Sequence, residues 1–123
     1  MLPAGRLNQR VTLQAKTVTR GEGGEEVPAW VDVPPVVWAE VEPLRGREFF
    51  AAQGAQYACD VKVRIRYRAD IALGKPMIQQ AAQWREMRLV WRGQPHDVTS
   101  VIDVRGRGEV LELLCVAGVG DGR

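Results

Sequence analysis

The stretch from Cys59 to Tyr67 alternates strictly between apolar and charged side chains, and no other segment limits the fold so firmly. Apolar side chains at every second position match the period of a β-strand and do not form one face of a helix. A strand with one apolar and one charged face lies in the wall of a sheet that covers a core on one side. The charged face holds Asp60, Lys62, Arg64 and Arg66, and Arg68 extends it.

Further segments with a period of two lie on both sides of this strand. Val11 to Lys16 predicts a first strand, and AWVDV and VVWAEVE predict two extended segments that are ended by Pro34–Pro35 and by Pro43. The remaining strands are predicted at Met87 to Trp91, His96 to Ile102 and Glu109 to Val116, with RGQP and RGRG as turns. We expect a mainly β domain, a small antiparallel barrel or sandwich of about six strands with one or two short helices.

Four segments do not fit a strand pattern. TRGEGGEE, Thr19 to Glu26, predicts a flexible loop, and residues 117–123 predict a frayed tail. Arg47 to Gln56 is predicted to form one short helix, and the Gln/Ala-rich end of Ile71 to Trp84 predicts another. None of these segments divides the chain, so residues 1–123 are expected to form a single domain.

Composition excludes several classes of protein. The formal net charge of +2 is too small to indicate a nucleic-acid binder by itself. No apolar run resembles a signal peptide or approaches the ~20 residues of a membrane span, so we expect synthesis in the cytoplasm and no membrane partner. Cys59 and Cys115 lie far apart without a CxxC spacing, which favours buried free thiols and predicts neither a metal nor another cofactor.

The residues for catalysis are present but badly spaced. His96 and Ser100 are the only histidine and serine, and four residues along one strand separate them by ~13 Å, too far for a catalytic pair. Glu40 and Glu42 share a strand face at ~6.6 Å, a spacing more typical of a solvated face or of acids that pair with basic residues. We therefore predict that the protein is not an enzyme.

Two features remain for a function based on contacts. In the row Lys62, Arg64, Arg66 and Arg68, the charges either pair with acids such as Glu109 and Glu112 or meet a neighbouring subunit or DNA. Phe49 and Phe50 would diverge on a helix, which predicts one ring in the core and one, with Phe50 favoured, on a neighbour. Packing of both rings in the core is the alternative.

Several motifs in order along the chain resemble one family. GRLNQRVTLQ, WxDV, VWAEVEPLRGREFFAAQ, VRIRYR, RLVWRGQPHDVTSV and LELLCV resemble the head-tail joining proteins of long-tailed phages and prophages, also called head-tail adaptor, head closure or stopper proteins. The segment ALGKPMIQQAAQW looks longer than the usual link of that family.

The resemblance implies a structural virion component, a β-barrel assembled as a homo-oligomeric ring at the head-tail interface. Its implied partners are a portal-bound adaptor protein, a tail terminator or tail tube protein, and the packaged double-stranded DNA that the ring retains. It also implies a projecting segment at residues 44–56. The expected subunit interface comprises Arg45, Arg47, Phe49, Phe50, Gln53 and Tyr57.

One alternative from another class stays open. A monomeric β-barrel module could bind single-stranded nucleic acid through the basic strand face. Such modules place aromatic side chains among their basic residues for base stacking, and the face of the row from Lys62 to Arg68 has none. The absence of aromatic side chains on this face favours the ring-forming virion component over the nucleic-acid-binding module.

Overall fold

The computed structural model describes residues 4–52 and 55–118, without the side chains of residues 4, 45–52 and 55–58. Eight strands account for most of the described chain, and the helical part is limited to two 3-10 turns, Ala4–Arg6 and Val104–Gly106. The strands are β1 (Gln9–Arg20), β2 (Glu26–Ala52), β3 (Ala55–Arg66), β4 (Ile71–Ala72), β5 (Met77–Gln80), β6 (Gln83–Trp91), β7 (Gln94–Asp103) and β8 (Val110–Ala117). The predicted mainly β class is confirmed.

Six strands form a closed antiparallel barrel. They follow the order β1-β2-β3-β8-β7-β6, and β1 pairs with β6 from Val11 opposite Trp91 to Ala15 opposite Met87. Outside the barrel, β5 pairs with β6 from Gln83 to Glu86, and β4 pairs with β5. Closure gives each barrel strand two neighbours over its central part, so few edge groups are left without a hydrogen bond there.

The interior of the barrel is filled by the apolar face of each strand. Leu13, Val63, Ile65, Leu89 and Leu113 are completely buried. A six-stranded barrel is narrow, and inward-pointing branched side chains occupy its axis and leave no channel. The fully apolar face predicted for β3 therefore serves as one wall of this core.

The prediction that prolines end two separate strands is wrong, because β2 runs without a break through Pro34, Pro35 and Pro43. The ladder accommodates them at irregularities. Val11 lies opposite Val37 and Leu13 opposite Val33, so extra residues of β2 bulge out beside Thr12. A proline lacks the N–H that a ladder needs and is tolerated where the pairing is interrupted.

The predicted helix from Arg47 to Gln56 is also wrong. Residues 48–52 of β2 pair with 55–59 of β3, from Glu48 opposite Cys59 to Ala52 opposite Ala55. Because β3 meets β8 only from Val61 onward, this hairpin extends past the wall as a two-stranded ribbon, which we call the arm. Aromatic residues favour strands, and a paired neighbouring strand outweighs the weak helical preference of the alanines.

The helix predicted within Ile71 to Trp84 is replaced by the short strands β4 and β5. Gln80 lies opposite Gln83, and the turn between them places Ala81 and Ala82 at φ of 52° and 63°. Ile78 is completely buried, and its burial together with pairing to β6 overrides helix propensity.

The predicted loop from Thr19 to Glu26 contains more strand than expected. Thr19 pairs with Val27 and Arg20 with Glu26, which leaves a turn at residues 21–25 closed by a hydrogen bond from Gly21 N to Glu25 O of 2.8 Å. Beyond Ala15, β1 leaves β6 and pairs only with β2, so this hairpin also extends past the barrel wall. Its flexibility in solution stays a prediction.

Two leucines test this account of the core. Leu89 is completely buried, whereas Leu73 in the turn between β4 and β5 is 47% exposed. We expect Leu89→Ala to lower the free energy of unfolding by about 2–5 kcal/mol, through lost transfer energy and the cavity left behind. Chemical denaturation should show Leu73→Ala within about 0.5 kcal/mol of the parent. Equal losses for both variants would contradict this assignment of the core.

Candidate functional site

Arg64 lies at the centre of an ion-pair network on the outer wall of the barrel. The ladder places it directly between Glu40 on β2 and Glu112 on β8. Its Nε donates to Glu112 Oε2 at 2.9 Å, and its terminal nitrogens donate to Glu40 Oε1 and Glu42 Oε1, each at 3.2 Å. Arg6 approaches the other oxygen of Glu40 at 2.9 Å. Glu40 and Glu42 therefore both pair with basic residues.

The network is substantially shielded from solvent. The side chains of Arg64, Glu40 and Glu112 are 24%, 18% and 18% exposed. Burial alone would lower the pKa of Arg64, but Glu112, Glu42 and Glu40 together outweigh it and raise the pKa above its ordinary value. Arg64 therefore stays charged, and its hydrogen-bonding capacity is largely used within the subunit.

The other members of the predicted basic row have different environments. Lys62 and Arg66 share the outward face of β3 with Arg64. Arg68 lies beyond the end of β3 and binds Asp70 through two hydrogen bonds of 3.0 and 2.7 Å, so it leaves the row. Arg66 is exposed and makes no ion pair within the described ranges. The predicted partner Glu112 is confirmed for Arg64.

An exposed tryptophan between two arginines escaped the sequence analysis. Trp38 lies opposite Arg10 in the ladder, and the guanidinium of Arg10 stacks on its ring at 4.9 Å from the centroid. Trp38 also lines an open groove of about 460 Å³ together with Arg66. We call these three residues the Arg10–Trp38–Arg66 patch. Residues 10, 38 and 66 lie on three strands, and only the outward phase of each alternation could have indicated their proximity.

An acidic surface lies at the end of the hairpin between β1 and β2. Glu22, Glu25 and Glu26 are all exposed there and make no ion pair within the part of the chain that the structure covers. Arg20 is the nearby basic residue, and its guanidinium donates to Gly24 O at 3.2 Å. We call the three glutamates the acidic tip.

Three residues of the predicted subunit interface, Phe49, Phe50 and Tyr57, lie on the arm. Phe49 pairs with Ala58 and Phe50 with Tyr57 in the backbone register, so both phenylalanines lie on β2 and Tyr57 lies on β3. Arg45 and Arg47 lie in β2 at the irregularity before Glu48. The side chains of these five residues are outside the description, as is all of Gln53. Their contacts, and the unequal roles of the two rings, stay predictions.

The only histidine and the only serine both lie on β7. His96 and Ser100 are buried on β7, and the ring nitrogen Nδ1 of His96 lies 2.9 Å from Gln94 O. Among the described residues no group of three or more His, Cys, Asp or Glu side chains could hold a metal ion. No helix in the described part of the chain is long and apolar enough to cross a membrane.

Both cysteines are completely buried free thiols. Burial raises the pKa of Cys59, and burial together with the neighbouring Cys59 raises the pKa of Cys115 far above its ordinary value. A raised pKa keeps the thiol protonated, and the protonated form is a poor nucleophile.

A filled barrel with an ion-paired wall and two projecting hairpins defines a small closed β-barrel protein. Residues 2–118 match the family model described as phage head completion protein, and the chain belongs to that family. The resemblance to head-tail joining proteins is thereby confirmed.

Individual relatives agree with this assignment. The chain is 25% identical to head completion protein gp7 of Enterobacteria phage HK97 over 114 aligned residues. The alignment covers 93% of this chain and 95% of the relative. In fold it is similar to protein SF1141 from Shigella flexneri 2a, with a TM-score of 0.61 and 22% identity over 98% of this chain and 100% of the other. It is also similar to a chain of the virion of a native gene transfer agent particle, with a TM-score of 0.56 and 18% identity over 92% and 96% of the two chains.

The Arg64 network leads to a prediction about monomer stability. Arg64→Glu would place a fourth carboxylate among Glu40, Glu42 and Glu112, and we expect it to lower the free energy of unfolding by on the order of 2 kcal/mol. This is less than the ~3–5 kcal/mol lost when a fully buried ion pair is broken, because the Arg64 side chain is 24% exposed. Chemical denaturation at pH 7 measures it. Arg66→Glu on the same strand is the control, expected within about 0.5 kcal/mol of the parent.

The pH dependence of this loss gives a second readout. Crowded carboxylates bind protons more tightly in the folded than in the unfolded chain, so the folded state of the Arg64→Glu variant gains stability as the pH falls from 7 towards 4. The difference in free energy of unfolding between the Arg64→Glu variant and the parent should therefore become smaller from pH 7 to pH 4. A monomer as stable with Arg64→Glu as with Arg66→Glu would contradict the network.

Proposed function

We propose that this protein forms a ring between the portal-bound adaptor and the tail, retains packaged DNA in the capsid and presents the surface on which the tail docks. The protein would thus be made in the host cytoplasm and be incorporated at the head-tail interface of the virion. Its partners would be the adaptor, a tail terminator or tail tube protein and, in the channel, double-stranded DNA.

One observation carries this proposal: the match of residues 2–118 to the phage head completion family spans the whole barrel and both hairpins. Two further findings support it. A protein of similar fold occurs in the virion of a gene transfer agent. The barrel interior is filled, so a channel for DNA would have to lie between subunits arranged around an axis.

The arm supports a role at such an axis. A two-stranded ribbon is marginally stable in water, so a segment that extends beyond the barrel is best explained by contacts outside the subunit. Its unpaired edges can hydrogen-bond with strands of other chains. We infer that arms from neighbouring subunits meet one another or the DNA end.

The alternative, a monomeric binder of single-stranded nucleic acid, gains one favourable observation in the exposed Trp38 beside two arginines. It is weakened by Arg10, which covers one face of the ring that a base would need. It is weakened further because Glu40, Glu42 and Glu112 neutralise Arg64, the centre of the basic row.

Removal of the arm tests its part in DNA retention. Because Glu48 lies opposite Cys59, residues 49–58 can be replaced by the two-residue turn Asn-Gly without changing the pairing of the barrel. We expect a shortened protein that unfolds cooperatively and joins the particle, while the packaged DNA becomes sensitive to added nuclease. The parent protein, added to capsids assembled without it, should restore protection.

Other outcomes separate the parts of the proposal. Full protection of DNA by the shortened protein would show that the arm does not retain it. Capsids that keep their DNA without any copy of the protein would remove the retention role altogether. A protein that stays monomeric at high concentration and in the presence of portal and adaptor would overturn the ring, as measured by native mass spectrometry.

A further inference from the structure

The acidic tip and the Arg10–Trp38–Arg66 patch are complementary surfaces without partners inside the subunit. The tip carries three exposed carboxylates, and the patch carries two guanidinium groups that make no ion pair within the described ranges. We propose that the acidic tip of one subunit docks on the patch of a second copy of the same chain. This inference rests on the proposed ring and specifies its subunit contact.

The contact has to form between copies. Arg10 and Arg20 lie near the two ends of β1, ten residues apart, which corresponds to about 33 Å at ~3.3 Å per residue. The hairpin continues away from the barrel wall that carries the patch, because beyond Ala15 strand β1 pairs only with β2. A subunit therefore cannot bring its own tip onto its own patch.

The distribution of charge on the wall selects the patch as the docking point. In the neighbouring row Arg6 and Arg64 are neutralised by Glu40, Glu42 and Glu112. An approaching carboxylate meets uncompensated positive charge at Arg10 and Arg66, whereas one row further it meets Glu42, which is 51% exposed. Complementary and repelling charges together fix the register of the contact.

Apolar side chains can add to the contact on both sides. Trp38 is 50% exposed, and Val18 and Val27 beside the tip are 53% and 41% exposed. Tryptophan and arginine are among the residues most enriched at positions that dominate interface energy. Val18 pairs with Pro28 and Arg20 pairs with Glu26, so Val18 and Glu26 share one face of the hairpin and can approach the patch together.

Such a contact can repeat from one subunit to the next. Tip and patch are different surfaces, so the interface is heterologous, and a pair of subunits still has one free tip and one free patch. Successive head-to-tail contacts close into a ring when the rotation per subunit divides a full turn. Nucleic acid is the less suitable occupant, because Arg10 already covers one face of the Trp38 ring on which a base would stack.

Reciprocal charge reversal tests the contact. The patch variant carries Arg10→Glu and Arg66→Glu, and the tip variant carries Glu22→Lys and Glu25→Lys, whose side chains hold no described hydrogen bond. Each variant alone should associate at least about tenfold more weakly than the parent, because like charges then face each other. An equimolar mixture of the two variants should recover assembly. The positive tip of the tip variant then meets the negative patch of the patch variant, and the negative tip of the patch variant meets the positive patch of the tip variant. The chain with all four changes should also assemble.

Sedimentation velocity at matched concentration measures each mixture, and circular dichroism checks that every variant is folded. Lys75→Glu with Arg92→Glu is the matched control, with the same change in net charge as the patch variant at two exposed sites outside the patch and tip. The control should assemble like the parent, and raised salt should weaken the parent contact.

The possible outcomes are distinct. Assembly by the parent and by both single-surface variants alike would overturn the tip-patch contact and leave the ring in place. Failure of the mixture and of the fourfold variant to recover assembly would overturn it as well. Loss of single-stranded DNA binding in the patch variant with unchanged self-association would make nucleic acid the occupant. A parent that stays monomeric even with portal and adaptor would overturn both the ring and this contact.

Discussion

The pairing of β1 with β6 is the interaction on which the rest of the fold depends. These two strands are separated by most of the chain, and their five register pairs from Val11 to Ala15 convert an open sheet into a barrel. Without them β1 and β6 would present free edges, and the buried faces around Leu13 and Leu89 would open to water. Closure therefore stabilises the core and prevents uncontrolled strand pairing with other chains at the same place.

A closed barrel also restricts where the protein can make contacts. Because the wall lacks long free edges, contacts must use side chains on the wall or hairpins that leave it. The wall around Arg64 is occupied by internal ion pairs, whereas the acidic tip and the Arg10–Trp38–Arg66 patch carry exposed charges that form no ion pair among the described residues. In the proposed ring, neighbouring subunits would pair with these exposed charges.

The sequence was informative where a single strand determines the pattern. The alternation of β3 predicted its buried and charged faces, and Glu112 was among the acids expected to balance its basic row. It was uninformative where pairing overrides local preference. Pro34 and Pro35 were expected to end a strand, because nothing local shows that a bulge will accommodate them. Arg47 to Gln56 and the Gln/Ala-rich segment were assigned to helices, because their pairing partners lie outside any local window. Trp38 was missed for the same reason, since its neighbours Arg10 and Arg66 come from two other strands.

The length of β2 has a mechanical consequence. This one strand runs from the acidic tip, through the barrel wall, to the end of the arm, and it is paired with β1 along one part and with β3 along the other. A load applied between tip and arm acts along the strand, at right angles to the ladder hydrogen bonds. Many of these bonds then share the force at once and must shear together, whereas a load across the sheet would break them one after another. The strand that connects the two projections is therefore oriented to carry tension from one end of the subunit to the other.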